Sequence, residues 1–526
     1  MRPGLLTRIG RILRRHWLFS ILFTLGIAIR VITWLAYQPS LLYIDSYRYL
    51  RYMNPWHING INPIGYDVLI WPVLYGGRHF GIGLALTAAV QHLLGLGVAL
   101  VCYLLARGLG AARIVAAVIT APMLFDAYEL QIEQNLMAEA WSDALLIAAV
   151  WLLLAWRLNL GGRPRPLPGR FGPRAWQAAA AGALIGANVP VRVIGIVVVI
   201  PFAAYLIFAG ARWRDRAWWK QMITRLVAGG AGFAILIGGY AGVYRAIVGQ
   251  WALSGADSKV LYARAATVAE CGSLKLSKDV AQLCPKAPRD QRPGVDRYAH
   301  GKYHADFVPP GQTQTELMHK FGVEVLKQQP ADFVVAAAKD FAKGFSWTRT
   351  QSPNDVPLSR WQFQLHYPRW KNLHAKLVTQ KFDHRNPKVV QPLARFLRHY
   401  QLNGGYTRGT LLGIAGLIGI AGIFRRRGGL RAEALLTVGI GLVLVAGAAG
   451  FEFSWRYQLP GLVFFPLSAA IGFTALITRR KPDQADQPDQ ADRPDQAGQP
   501  DHPDQREPVE VGGYRGVDAD HGRPDS

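Results

Sequence analysis

Cysteines and acidic residues are scarce in this chain of 526 residues. Three cysteines are too few for a disulfide-rich scaffold, and no spacing suggests zinc, so no metal or other cofactor is predicted. Aspartates and glutamates number 34 against 59 lysines and arginines, which gives a formal net charge of +25. That charge would suggest a nucleic-acid partner if the basic residues formed one patch or arm. They lie mainly in short loops between apolar blocks, which argues against nucleic acid.

Long apolar runs dominate the rest of the chain. Hydrophobic residues make up 51% of it, and they cluster in blocks of roughly 16 to 25 residues, long enough to cross the hydrocarbon core of a bilayer. The sequence therefore predicts an all-α polytopic membrane protein of about ten spans. Seven spans are predicted within residues 17–247 and three within 409–478.

Basic residues give the predicted orientation. Residues 1–16 carry five arginines directly before the first apolar run. That run is too long for a signal peptide and has no small-residue cleavage site, so a retained first span is predicted. With ten spans, every arginine-dense short loop lies on one face, as the positive-inside rule requires. The protein is then predicted to lie in the plasma membrane with both termini in the cytosol. The regions predicted to lie outside are 38–80, 126–137, 248–408 and 451–458.

Two regions have no spanning run. The segment 248–408 is predicted to be a small, mainly helical extracytoplasmic domain, in which Cys271 and Cys284 form a disulfide because oxidation is permitted there. Its aromatic residues, Trp361 among them, either stack on a sugar or form an interfacial belt. The tail 479–526 repeats Pro-Asp-Gln and lacks the apolar residues of a core, so it is predicted to be disordered.

Charged residues in or beside spans are candidate site residues because burying them in a membrane is costly. Asp45 follows the first span closely, and it is either a site residue or a solvated acid paired with Arg48. Glu139 lies at the start of the fourth span, where solvation explains an acid poorly. Three acids just before it share one helix face, either as a gathered carboxylate group or as the solvated side of an exposed helix: Asp126, Glu129 and Glu133.

Basic residues on the predicted outer face run against the orientation bias. They are Arg192, at the turn between spans five and six, and Arg456, which is followed by Tyr457 just before the last span. These arginines either anchor the chain to lipid phosphates or hold one specific phosphate through bidentate hydrogen bonds. Arg30, inside the first span, either joins them or pairs with a carboxylate.

Taken in order, these residues resemble the GT-C superfamily of membrane glycosyltransferases. The resemblance covers roughly residues 1–480 and is closest to the branch that uses dolichyl- or polyprenyl-phosphate sugars. That branch includes protein mannosyltransferases, aminoarabinose transferases and actinobacterial cell-envelope enzymes. The matching features are Asp45 in the first outer loop, the stretch Asn62-Pro63-Ile64-Gly65-Tyr66, Glu139, Arg192, and the run from Arg456 to Pro460.

The resemblance implies an inverting transfer of a sugar from a polyprenyl-phosphate donor to a cell-envelope acceptor on the outer face. Asp45 then matches the general base or the residue that orients the acceptor. Arg192, Arg456 and Tyr457 match positions near the lipid phosphate, and Glu139 matches a structural or acceptor-binding glutamate. Further candidates for substrate binding are Asp126, Arg30 and Tyr66. The usual acidic pair is Asp45-Ser46 here, so a metal is not expected.

Two other classes of protein compete with this interpretation. A transporter or lipid flippase also has many spans and charges near the membrane midplane, but it predicts internal repeats and broken helices. No duplicated block of spans is evident in the sequence. The other alternative is a non-catalytic scaffold for envelope assembly, in which the outer segment is the working part. Membrane lipids are partners under every interpretation.

Overall fold

A computed structural model describes residues 10–11, 13–51, 63–158, 171–301, 303–352, 354–367, 379–425 and 429–478. The predicted disordered tail, 479–526, lies outside these residues, as do most of the arginine-rich residues 1–16 and the first residue of the Asn62–Tyr66 stretch. The statements below concern the described residues alone.

The first half of the chain is a series of helices. In order they are α1 (Trp17–Ala36), α2 (Ile44–Arg51), α3 (Gly65–Arg78), α4 (Gly83–Gly108), α5 (Arg113–Val118), α6 (Ala121–Phe125), α7 (Ala127–Gln134), α8 (Glu139–Leu154), α9 (Ala175–Asn188), α10 (Val199–Phe208) and α11 (Arg216–Val248). A 3₁₀ turn, Val193–Val198, leads into α10.

The second half has shorter helices followed by three apolar ones. They are α12 (Asp257–Val268), α13 (Lys278–Ala281), α14 (Val295–His300), α15 (Gln314–Gln328), α16 (Pro330–Lys343), α17 (Gln391–Leu402), α18 (Gly409–Phe424), α19 (Arg431–Phe451) and α20 (Leu459–Ile477). Further 3₁₀ turns are Arg289–Gln291, Leu358–Trp361 and Trp455–Gln458. One antiparallel pair, β1 (Tyr37–Gln38) and β2 (Lys388–Val389), joins the end of α1 to the segment before α17.

Five of the described helices are long and apolar enough to cross a membrane, so the chain is a mostly helical, multi-pass membrane protein. They are α1, α4, α11, α19, and α20 with its preceding turn. A sixth is counted if α5 to α7, which bend by 52° at one break, form a single span. The other predicted spans lie on helices too short to cross alone: α9 has 14 residues, or roughly 21 Å at the helical rise. The predicted count of ten is therefore not confirmed.

The segment 248–408 does not form a separate unit. Residues Met1–Arg479 make one compact body, and α12 of the segment is bonded to the end of α19. Arg264 Nε donates to the carbonyl of Phe451 at 2.9 Å, and its Nη2 donates to that of Ala449 at 3.0 Å. Within the segment, Cys271 and Cys284 form a disulfide. Helices α12 to α17 all lie within this segment.

Close contact between α9 and α11 depends on glycines. A Cβ at Gly182 would lie 2.1 Å from the carbonyl oxygen of Gly229, and one at Gly232 would lie 2.1 Å from that of Ala179. No side chain fits at those distances, so the two helices pack backbone to backbone, as small residues allow in membrane helices. Gly230, one position from Gly229, has open space around it.

We therefore expect Gly182→Ala to lower stability, because an added methyl must push the two helices apart. Overpacking of this kind costs typically about 1–3 kcal/mol. The thermal midpoint of the purified protein in detergent is the measurement. Gly230→Ala is the matched control on α11, and it should leave the midpoint unchanged or raise it slightly. Equal midpoints for the two variants would contradict the packing argument.

Candidate functional site

A cavity of about 760 Å³ lies beyond the end of α1, where α2, the turn between α9 and α10, and the connection from α19 to α20 meet. Helices α12 and α14 and the 3₁₀ turn Leu358–Trp361 complete its wall. The charged and titratable groups around it are Asp45, Arg48, Arg192, Asp257, Asp296, His300, Arg360, Glu452, Arg456 and three tyrosines, Tyr43, Tyr49 and Tyr457.

Asp45 lies between two arginines in this cavity. Arg48, one turn further along α2, donates from Nη1 to Asp45 Oδ1 at 3.1 Å. Arg456 Nη1 donates to the other carboxylate oxygen at 2.9 Å. Asp45 keeps 22% of its side chain exposed, whereas Arg456 keeps 11%. The carboxylate therefore has both an exposed edge toward the cavity and charge-assisted hydrogen bonds from two arginines.

Glu139 extends this series of ion pairs into the buried region beneath the cavity. It is the first residue of α8 and is fully buried. Arg456 Nε donates to its Oε1, and Arg192 Nη2 lies 3.7 Å from the same oxygen. Arg456 thus bridges Asp45 and Glu139, while Arg192 approaches Glu139 from the turn after α9. Positive and negative side chains therefore alternate along this series of contacts: Arg48, Asp45, Arg456, Glu139 and Arg192.

The cavity also contains Trp361 and three residues that the sequence did not single out. The Trp361 ring lies 5.3 Å from the Arg456 guanidinium carbon, a cation–π contact. Arg360 pairs with Asp296 at 3.3 Å, and His300 lies one turn after Asp296 on α14. Trp361 had been placed among aromatic residues with two possible roles. The other three lie in 248–408, where the sequence has no motif that would have identified them.

Glu452 is the other residue that sequence reasoning missed. It caps the end of α19, and Tyr457 donates to its Oε2 at 3.4 Å. Its Oε1 is buried without a hydrogen-bond partner among the described residues. Burial, and secondarily the charge of Asp296, raises the pKa of Glu452 to about 7. The sequence signal that could have identified Glu452 is an acid between two phenylalanines, Phe451 and Phe453, four residues before Arg456.

The raised pKa of Glu452 implies that the stability of the folded protein depends on pH. Because this pKa is raised above that of the unfolded chain, the folded protein loses stability as the pH rises from about 4.5 to 7. Glu452→Gln removes that titration. We expect the variant to exceed the wild type in thermal midpoint by about 2–4 °C at pH 8, with the difference vanishing near pH 4.5. A difference that does not change with pH would contradict the assignment.

Two predicted site residues do not line the cavity. Asp126 caps the start of α7: its carboxylate accepts from the backbone N–H of Tyr128 at 2.9 Å and of Thr407 at 2.7 Å. It also pairs with buried Arg349 at 3.3 Å. The hydroxyl of Tyr66, which is fully buried on α3, donates to Gln91 Oε1 at 2.7 Å. These contacts hold both side chains in the packing of the bundle, outside the lining of the Asp45 cavity, and their predicted role in substrate binding stays a prediction.

Arg30 belongs to a different buried cluster. Its Nη2 pairs with Glu133 Oε1 at 2.7 Å, and His92 Nδ1 lies 2.7 Å from the other oxygen of Glu133. Every residue of α7 is buried, so of the two alternatives for the acids Asp126, Glu129 and Glu133, the solvated side of an exposed helix is excluded. Nearby, both carboxylate oxygens of Asp143 and one of Glu129 are buried with no hydrogen-bond partner among the described residues.

Among the described residues, no group of three or more His, Cys, Asp or Glu side chains is placed to hold a metal ion. The cavity itself presents carboxylates, guanidinium groups, the imidazole of His300 and aromatic rings. These groups can accept a proton, bind an anion and cover an apolar or sugar face. No protein-family model matches the chain, and no curated protein matches it.

Proposed function

We propose that this protein is an inverting glycosyltransferase that moves a sugar from a polyprenyl-phosphate donor to a cell-envelope acceptor. The observation that carries the proposal is Asp45, held at 2.9 and 3.1 Å by Arg456 and Arg48 in a cavity at the end of the first spanning helix. A base beside cationic groups, next to a membrane, fits a reaction whose donor is an anionic lipid. The order of residues resembling GT-C enzymes adds support.

In the proposed mechanism, Asp45 accepts the proton of the acceptor hydroxyl or amine as that group attacks the anomeric carbon. The leaving phosphate lies on the other side of that carbon because the transfer inverts the configuration. Arg192 is suited to hold it, since Arg192 lines the cavity and its contact with Glu139, at 3.7 Å, is longer than a hydrogen bond. A fixed cation there stabilises the charge that grows on the leaving group.

Arg456 couples the two ends of the site. It donates to Asp45 and to Glu139 at once, so an incoming phosphate competes with both carboxylates for it. When Arg456 turns toward the phosphate, Asp45 Oδ2 loses its hydrogen-bond donor and is free to accept the proton of the acceptor. Donor binding would thereby activate the base, while Glu139, fully buried, keeps the arginine near its place.

The proposal includes a membrane arrangement. We place the cavity on the outer face of the plasma membrane, with about ten crossings of GT-C type and both termini cytosolic. Under this arrangement the arginine-dense short loops share the cytosolic face. The shorter helices α8, α9, α10 and α18 then cross the membrane packed against neighbouring helices. The segment 248–408 covers the outer end of the bundle.

The test is sugar transfer by membranes or purified protein with a panel of radiolabelled polyprenyl-phosphate sugars and a range of acceptors. Label should move from lipid to acceptor, with inversion at the anomeric carbon. Membranes without the protein give the background. Absence of turnover with every donor would reject the proposal.

The buried cluster around Glu133 favours a second candidate, a transporter. Charged groups inside a membrane mark ion or substrate pathways in many transporters, and Arg30, His92 and Glu133 are joined at 2.7 Å inside the bundle. Glu133→Gln distinguishes the two candidates. It should abolish substrate flux into proteoliposomes if the protein is a transporter, and it should leave the proposed transfer chemistry at the Asp45 cavity in place if the protein is a transferase.

A further inference from the structure

A second cavity, of about 500 Å³, lies at the opposite end of α1 from Asp45. Three separate parts of the chain supply basic groups to it. Arg14, Arg15 and His16 precede α1, Arg107 lies in the last turn of α4, and Arg113 begins α5. No aspartate or glutamate is among the described residues that line it. A helix of 20 residues spans about 30 Å, so this cavity and the Asp45 cavity are separated by roughly one membrane thickness.

The positive charge of this cavity is uncompensated. The pKa of His16 is lowered, first by burial and then by the charges of Arg107, Arg113 and Arg15. Arg107 donates from Nη1 to the backbone carbonyl of Ala111, a neutral partner. His16 Nδ1 lies 2.5 Å from the hydroxyl of Tyr103, also neutral. An anion entering the cavity would meet several guanidinium groups with no acid to displace.

Apolar side chains form the rest of the wall. Trp17, Leu18 and Phe19 come from the first turn of α1, and Ile114 comes from α5. Trp17 is 57% exposed and Ile114 is 62% exposed, and both adjoin the apolar surface of a spanning helix. A purely water-soluble anion would gain no binding energy from this apolar surface. A lipid does, because its phosphate and its chains need adjacent polar and apolar surfaces.

Orientation alone does not account for this arrangement. The positive-inside rule concerns the number of basic residues near a membrane face. It does not require arginines from three segments to share one concave wall with a tryptophan. Basic pockets between spanning helices on the cytoplasmic side are known to hold anionic lipid headgroups, and a guanidinium group can make paired hydrogen bonds to a phosphate.

We propose that this cavity binds the phosphate of an anionic membrane phospholipid, whose acyl chains lie along Trp17 and Ile114. The bound lipid ties the start of α1 to the α4–α5 turn. The site is independent of the proposed transfer reaction, because it lies at the other end of α1 and shares no lining residue with the Asp45 cavity.

The test uses the full-length purified protein and measures retained lipid by native mass spectrometry after exchange into vesicle-derived nanodiscs. The nanodiscs contain phosphatidylcholine with one fifth phosphatidylglycerol as the anionic probe. The wild type should retain phosphatidylglycerol in preference to phosphatidylcholine. Arg14→Gln/Arg15→Gln should weaken retention by about 25-fold, or about fivefold for each charge removed. Both arginines are exposed, so this variant should still fold.

The matched control is Arg212→Gln/Arg214→Gln, which removes two exposed arginines from another basic loop outside this cavity. It should retain phosphatidylglycerol like the wild type. A second variant, Arg107→Lys/Arg113→Lys, keeps the charge but not the paired hydrogen bonds, and an intermediate loss is expected. Equal retention by the wild type and the Arg14/Arg15 variant would overturn the proposal. So would displacement of the lipid by millimolar glycerol phosphate, since the apolar wall would then contribute nothing.

Discussion

Asp45→Asn is expected to reduce sugar transfer by about 10²–10⁴-fold, the range that a positioned general base contributes. Asparagine has nearly the same shape and can still accept a hydrogen bond from Arg48, but it cannot take the acceptor's proton. Expression and membrane insertion should be unaffected, because Asp45 is partly exposed and lies outside α1. The measurement is the initial rate of transfer from the donor identified by the panel.

The control for this variant is Asp279→Asn, the same change at a partly exposed acid on the short helix α13, outside the cavity. It should transfer sugar at the wild-type rate. Asp45→Glu provides a further comparison, since it keeps the carboxylate and moves it by one methylene, and it should retain part of the activity. Wild-type transfer by Asp45→Asn would remove the assignment of a base at this position.

Arg456→Gln is expected to have the largest effect on stability. The change leaves Glu139, which is fully buried, with Arg192 at 3.7 Å as its remaining ion-pair partner. Removing one partner of a buried ion pair typically costs about 3–5 kcal/mol, because the other charge stays buried without compensation. Transfer should be lost as well, since Arg456 touches Asp45. The measurements are the thermal midpoint in detergent and the transfer rate.

The double variant Arg456→Gln/Glu139→Gln separates the two effects. With the buried charge gone, most of the stability should return, while transfer should stay lost. Arg360→Gln is the matched control: it also lines the cavity, but its pair with Asp296 has both side chains about 30% exposed, so a loss of at most about 1 kcal/mol is expected. If the stability losses of Arg456→Gln and Glu139→Gln, measured separately, simply add in the double variant, the coupling between Arg456 and Glu139 is contradicted.

The sequence anticipated part of the site because its residues have local signals. Asp45 follows a spanning run, and Arg456 is a cation just before another. Such positions can be found from hydropathy and charge alone. Asp126 has a similar signal, yet it caps a helix. Charge beside a span therefore finds candidates but does not say which ones share a cavity.

The span count shows a second limit. An apolar run of 14 to 16 residues reads the same in a membrane-crossing helix and in a helix buried inside a bundle. The helices α8 and α9 have 16 and 14 residues, and both are largely surrounded by other helices. Likewise, the acids of α7 share one helix face, which is common on an exposed helix, but the whole helix is buried and Glu133 pairs with Arg30.

The sequence alone determined the mostly helical, multi-pass character of this protein and the unequal distribution of its charges, because run length and loop composition are properties of neighbouring residues. Only the tertiary structure decided that Asp45, Glu139, Arg192 and Arg456 form one chain of ion pairs, and that Glu452 and His300 face the same cavity. The physical reason is range: these contacts act over about 3 Å between atoms, whereas the paired residues are between 53 (Glu139 and Arg192) and 411 (Asp45 and Arg456) positions apart along the chain.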